Sequence, residues 1–152
     1  PKQFNEVVES GHSIGNHTFN HVIGWNEADD YYVENIEKCQ YEIEKHMGSQ
    51  NDRLFRPPHG RIKKNQIRLI ENSYEIVMWT YLTGDFDQNL TADKCLFKAT
   101  KETSNGDIVI FHDSLKSFEI LKSTLPKYLE YFTRQEFNRK NSSGLCPGVV
   151  HF

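Results

Sequence analysis

Three of the chain's seven histidines fall within residues 11–21, GHSIGNHTFNH. His17 and His21 are four residues apart, so on a helical turn their rings would project from one face, one above the other. Two neutral imidazoles placed that way can grip one divalent metal ion. The zinc-protease arrangement with this spacing needs a Glu directly after the first His as its general base, and Thr18 stands there instead. A lone pair of this kind is most often two solvated side chains on a polar turn. Its meaning therefore depends on what else the chain brings beside it.

The other residues with chemical potential are Arg56 in FRPPHGR, Asp85 in TGDFD and His112 in IVIFHDS. Apolar spacing predicts a short helix over 2–10 with Phe4, Val7 and Val8 on one face and Gly11 as its stop. A long helix over 27–47 carries Val33, Ile36, Cys39, Ile43 and Met47, with Asp29 and Asp30 suited to its N-terminal dipole and Gly48 as its end. Further helices are predicted over 64–72, with Ile67 and Ile70 inward, and from Thr91 and Asp93 to the Asn105-Gly106 stop. A last amphipathic segment puts Phe118, Leu121, Leu125, Leu129 and Phe132 on one side, and Pro126 must kink it or open a second helix.

Between the helices, His12 to Asn16 reads as extended and Leu54 to Arg56 as a strand stopped by Pro57-Pro58. Tyr74 to Trp79 reads as a strand followed by the loop LTGDFD. Ile108 to Phe111 is a continuous apolar run, as expected of a strand buried on both faces. Strand-then-helix repeats four times, which predicts an α/β fold with a parallel sheet. His17 with His21, Arg56, Asp85 and His112 each follow the C-terminal end of a predicted strand, the rim on which (β/α) barrels and open α/β sheets build their sites. The strands are too few for a barrel of eight, so either the sheet is open or strands lie upstream.

The chain has 152 residues, enough for one domain, with 37% hydrophobic, 12% aromatic and 26% charged residues. A net charge of −3 and a pI near 6.2 leave no basic footprint for nucleic acid. No apolar run is long enough to span a membrane. Cys39, Cys95 and Cys146 are odd in number and form no CxxC pair, so neither a disulfide framework nor a cysteine metal site is expected. Beyond residue 137 the run NRKNSSGLCPGVVHF has no periodicity, which predicts a domain over 1–137 and an irregular tail over 138–152.

The blocks GHSIGNHTFNH, FRPPHGR, MWTYLTGDFD and IVIFHDS, in this order and spacing, resemble the polysaccharide deacetylases, the NodB-homology domains of carbohydrate esterase family four. The resemblance implies a distorted (β/α) barrel with one divalent metal, commonly zinc, although His and carboxylate ligands also accept Co²⁺, Ni²⁺ or Mn²⁺. It implies hydrolysis of N-acetyl groups on chitin oligomers or peptidoglycan, or of O-acetyl groups on xylan. An acetylated glycan is then the substrate, and the cell envelope or exterior the expected location. By this resemblance His17 and His21 hold the metal, Arg56 orients a catalytic aspartate, and His112 is the proton donor tuned by Asp85. His59 stands where a tyrosine is usual and offers its backbone N–H to the oxyanion. Phe86, at a position where tryptophan is common, lines the acetyl pocket with Ile110.

One block of the family is absent from the sequence. Its TFDDG-like strand end supplies the catalytic base and the third metal ligand, and would lie upstream of Pro1. The expectation is an incomplete barrel lacking its first strand, which alone binds metal weakly, folds poorly and is inactive or nearly so. A non-catalytic carbohydrate-binding relative is the alternative from another class.

Overall fold

The computed structural model describes residues 2–48, 51–104, 106–138 and 150–152. In chain order these form α1 (Lys2–Glu9), β1 (Ser13–Ile14), α2 (Asp29–Met47), β2 (Leu54–Phe55), α3 (Lys64–Ile70), β3 (Glu75–Ile76), β4 (Tyr81–Leu82), α4 (Ala92–Glu102), β5 (Val109–Ile110), α5 (Phe118–Asn138) and β6 (Val150–His151). Two 3-10 turns cover Gly24–Asn26 and Pro58–Gly60. The elements group into two compact units, Pro1–Met78 with Cys146–Phe152, and Trp79–Leu145.

In the first unit α2 forms where apolar residues recur at helical spacing between an acidic first turn (Asp29, Asp30) and a basic last turn (Lys45, His46), the arrangement that complements the helix dipole. Gly48 ends it at φ 76°, a left-handed conformation that costs glycine nothing. Its inward face packs on β2 and α3, where Tyr32, Ile36, Phe55, Ile70 and Tyr74 make the core. The Phe55 ring lies edge-on to Tyr32 at 6.4 Å and to Tyr74 at 6.2 Å. Each such ring or branched chain removed from water contributes roughly 1.5–3 kcal/mol. Strands β1 and β6 pair in parallel, as do β2 and β3, and a parallel bridge between Asn16 and Phe55 ties the end of β1 to β2.

In the second unit β4 and β5 pair in parallel, with Tyr81 opposite Val109 and Leu82 opposite Ile110. Helix α4 begins at Thr91, whose Oγ1 accepts from the Lys94 N–H at 3.3 Å. It packs against α5 through small and polar groups. Thr124 Oγ1 donates to the Ala92 carbonyl at 3.3 Å, and the Thr103 hydroxyl meets the Tyr128 hydroxyl at 3.1 Å.

The α/β class and parallel pairing agree with the sequence reading; among the described residues the strands make three two-stranded sheets and no closed barrel. Several local expectations are corrected. Residues 17–21 are not a helical turn: Thr18 and His21 take φ of 63° and 54°. The strand expected over 74–79 shortens to Glu75–Ile76, and Tyr81 with Leu82, the first residue of the expected loop, forms β4. Strand β5 is only half-buried and the preceding Ile108 is 43% exposed, so its apolar run is not covered on both faces. In α5 the buried stripe runs through Ser117, Thr124 and Tyr128, while Phe118 and Leu129 are exposed, because α4 meets the helix one position round from its apolar residues. The helix continues through Pro126 without a second start. Helix α4 stops at Glu102, where the Thr103 hydroxyl turns back to the Ala99 carbonyl; Asn105 lies outside the described residues. Most of the 138–152 stretch, with Cys146, also lies outside them, but Val150–His151 are strand. Cys39 and Cys95 are free thiols, half-buried and buried. Among the described residues no helix is long and apolar enough to cross a membrane.

The turn Gly24–Asn26 is held by buried Gln66, whose Nε2 donates to the Gly24 carbonyl at 2.9 Å. A Cβ on Gly24 would lie 2.6 Å from Gln66 Oε1 and 2.8 Å from the Arg61 carbonyl oxygen, closer than packed carbon atoms come. Gly24→Ala is therefore expected to destabilise the chain by about 1–3 kcal/mol in urea unfolding, and a loss below about 0.5 kcal/mol would contradict this packing.

Candidate functional site

The His17–His21 segment is shaped by buried amides. Asn16, fully buried, donates from Nδ2 to the Ile36 carbonyl at 2.8 Å, and its Oδ1 accepts from the Thr18 N–H at 3.0 Å. Its backbone bonds to both sides of Phe55, N–H to the Leu54 carbonyl and carbonyl to the Arg56 N–H. From α2, Asn35 receives the Asn20 N–H on Oδ1 at 2.9 Å and the Phe19 N–H on its carbonyl at 3.1 Å. Thr18 Oγ1 accepts from the Val22 N–H at 3.0 Å. A left-handed φ is costly for a β-branched residue, and these bonds over-determine it.

The resulting loop sets the His17 and His21 rings edge-on at 5.0 Å, and His59 edge-on to His21 at 5.2 Å. His17 Nδ1–H donates to the Arg56 carbonyl at 2.6 Å. That bond fixes the tautomer and leaves Nε2 with its lone pair, the form in which a histidine ligates a metal. Burial, outweighing the Arg56 carbonyl bond, lowers the His17 pKa from 6.5 to about 4, so the ring is neutral at pH 7. His17 Nε2 and the His21 ring are thus the candidate donors to a metal; among the described residues no group of three His, Cys, Asp or Glu side chains that could hold one is found.

Arg56 follows β2 and is 8% exposed. Its Nε and Nη2 donate to the Val77 and Met78 carbonyls at 3.0 and 3.2 Å, and the Phe152 ring lies 4.0 Å from the guanidinium carbon. Burial lowers its pKa without threatening its charge. No carboxylate pairs with it among the described residues. His59 sits in the Pro58–Gly60 turn at φ 55°, and its backbone N–H has no acceptor among the described residues.

The second unit holds the other cluster. Asp85 is fully buried, and both its oxygens face His112: Oδ2 accepts from the His112 backbone N–H and Oδ1 from its Nδ1–H, each at 2.7 Å. The imidazole is thereby locked with Nε2 outward from the carboxylate, as a proton-carrying histidine requires. Phe86 is edge-on to His112 at 5.0 Å. Ile110 lies at the end of β5, where its carbonyl accepts the Thr83 N–H and hydroxyl. The structure therefore gathers His17, His21, Arg56 and His59 in one unit, and Asp85, Phe86 and His112 in the other.

The sequence reading passed over the residues that set the loop. Asn16 and Asn35 carry no chemistry of their own, and a polar residue on the buried face of a helix was the signal for Asn35. Phe152, assigned to the tail, was also missed. Because His17 takes up a proton near pH 4 when folded and near 6.5 when unfolded, its burial costs stability as pH falls through that window and nothing above it. Between pH 7 and about pH 4.5 the chain should lose roughly 1–3 kcal/mol more unfolding free energy than His17→Ala. Equal losses in urea titrations of the two would contradict the buried, neutral ring.

Residues 1–79 match the family model described as polysaccharide deacetylase. The chain is 29% identical over 139 residues to a peptidoglycan-N-acetylglucosamine deacetylase of Bacillus cereus, covering 90% of this chain and 64% of that protein. It spans between 37% and 64% of the length of the curated relatives it matches. Among solved structures, the Xyl-CE4 domain of a multidomain xylanase from the hindgut metagenome of Trinervitermes trinervoides superposes with TM-score 0.78 at 19% identity, covering 88% of this chain and 63% of that one. A CE4 family pseudoenzyme from Bacillus anthracis gives TM-score 0.69 at 23% identity, covering 84% and 45%. The family match over half the chain agrees with the histidine loop, the PPHG turn and the Asp85–His112 pair, and the chain belongs to the polysaccharide deacetylase family.

Proposed function

We propose that the chain serves metal-dependent hydrolysis of N-acetyl groups on an amino-sugar polysaccharide, such as chitin oligomers or peptidoglycan, with release of acetate. The observation that carries this reading is the Asp85–His112 pair, a buried carboxylate gripping an imidazole by two bonds. In amide hydrolysis water oxygen bonds to the acetyl carbon, the carbon–nitrogen bond breaks, and the sugar nitrogen departs as an amine only if it gains a proton. His112 Nε2 supplies that proton, and Asp85 holds the ring in the orientation and tautomer to do so. A divalent ion held by His17 and His21, zinc in this reading, would polarise the acetyl carbonyl and make water more acidic. Arg56, buried with no carboxylate partner among the described residues, is suited to position one as the base. The His59 backbone N–H is suited to stabilise the developing oxyanion. Phe86 beside His112, with Ile110, forms the apolar wall for the acetyl methyl group. The name of the Bacillus cereus relative supports an N-acetyl substrate.

Among the described residues no group of three His, Cys, Asp or Glu side chains could hold a metal, and a carbohydrate-binding relative without catalysis is the second reading. The Bacillus anthracis neighbour is described as a pseudoenzyme, so the fold admits that state. A xylan O-acetyl esterase is the other alternative, suggested by the xylanase-derived neighbour.

Acetate release by the full-length gene product discriminates among these. The proposal expects zinc-dependent release from N-acetylglucosamine oligomers in preference to acetylated xylan, and a rate lowered roughly 10²–10⁴-fold in His112→Ala. Preference for xylan would replace the substrate, full activity in His112→Ala would remove the acid role, and no release from either glycan would favour the binding protein.

A further inference from the structure

Trp25 stands apart from the residues assigned so far. It lies in the Gly24–Asn26 turn and is 58% exposed, an unusual state for the largest apolar side chain. It is nevertheless fixed. Its Nε1–H donates to the Ile62 carbonyl at 3.1 Å, and the Arg61 guanidinium lies 5.4 Å from the ring centre. The turn beneath it is braced by Gln66 on the Gly24 carbonyl and by Lys63 Nζ on the Glu27 carbonyl at 2.5 Å. The indole's one polar group is thus satisfied by backbone, and an apolar plane remains presented to solvent.

The plane continues the chain segments that carry the histidine cluster. Trp25 follows His21 by four residues and Arg61 follows His59 by two, while the His21 and His59 rings are 5.2 Å apart. A pre-ordered, largely exposed aromatic plane with a multi-donor cation 5.4 Å over its centre fits a ligand that offers flat apolar C–H faces and oxygen acceptors at its rim. A pyranose ring bearing hydroxyl and acetamido groups is such a ligand. Nucleobases offer similar faces, but the net charge of −3 opposes their phosphates.

We propose that Trp25, flanked by Arg61, is a stacking platform for one sugar ring of the glycan, binding the chain rather than taking part in bond cleavage. The proposal rests on the deacetylase reading for the ligand's class, and its test needs neither metal nor turnover. The 152-residue chain is titrated with the N-acetylglucosamine tetramer, following the indole N–H resonances of Trp25 and Trp79 and the dissociation constant. The Trp25 resonance should shift while that of Trp79 moves less. Trp25→Ala should weaken tetramer binding about tenfold and Trp25→Phe should recover part of the loss. Arg61→Ala, which leaves the turn intact, provides a second variant should Trp25→Ala fail to fold. No binding by the parent chain, an unmoved Trp25 resonance, or an affinity equal to the parent's in both Trp25→Ala and Arg61→Ala would overturn the platform. Binding that follows the prediction without acetate release by the full-length product would keep the platform and remove the deacetylase reading. Acetate release with a KM unchanged by Trp25→Phe and Arg61→Ala would do the reverse.

Discussion

The buried side chain of Asn16 is the constraint on which the candidate metal site depends. One amide takes the Ile36 carbonyl on α2 and the Thr18 N–H in the loop, while its backbone completes the bridge to β2. It therefore joins a helix, a strand and the histidine loop at one point. An amide with no water access must find these partners or cost about 1–3 kcal/mol for each group left unmet. The loop has little freedom to satisfy them in another shape, and the left-handed Thr18 and His21 follow from that.

The same economy of partners sets the chemistry at both histidine clusters. Each working imidazole gives its Nδ1–H to an oxygen that cannot move far: the Arg56 carbonyl for His17, the Asp85 carboxylate for His112. In both the Nε2 nitrogen is left for other work. At His17 burial outweighs the carbonyl bond and leaves the ring uncharged, the form suited to ligation. The Asp85 carboxylate holds the His112 ring by its Nδ1–H and leaves Nε2 directed away from it.

Much of this was legible in the sequence and some was not, for physical reasons. The helices were legible because α2 repeats apolar residues at helical spacing and ends on Gly48, and α4 opens on Thr91 as its cap. The strand-end placement of the candidate residues was legible because His17, Arg56, Asp85 and His112 all follow short strands in blocks with recognisable order. The conformation of residues 17–21 was not, since four-residue spacing fits a helical turn equally well and the deciding contacts come from Asn16 and from Asn35, far along the chain. The stripe of α5 was misjudged because α4 offers it backbone carbonyls and hydroxyls, so Thr124 and Tyr128 win burial over Leu129. Strand β4 was hidden within a turn-like sequence, for a two-residue pairing needs only a partner, which β5 supplies.

The most direct test of this account is a long-range ¹H–¹⁵N spectrum of the histidine side chains at neutral pH, without and with added Zn²⁺. The account predicts that His17 is neutral with its proton on Nδ1, and that zinc shifts His17 Nε2 together with a His21 ring nitrogen. A His17 ring protonated on Nε2, or charged at neutral pH, or zinc shifts confined to other histidines, would contradict it.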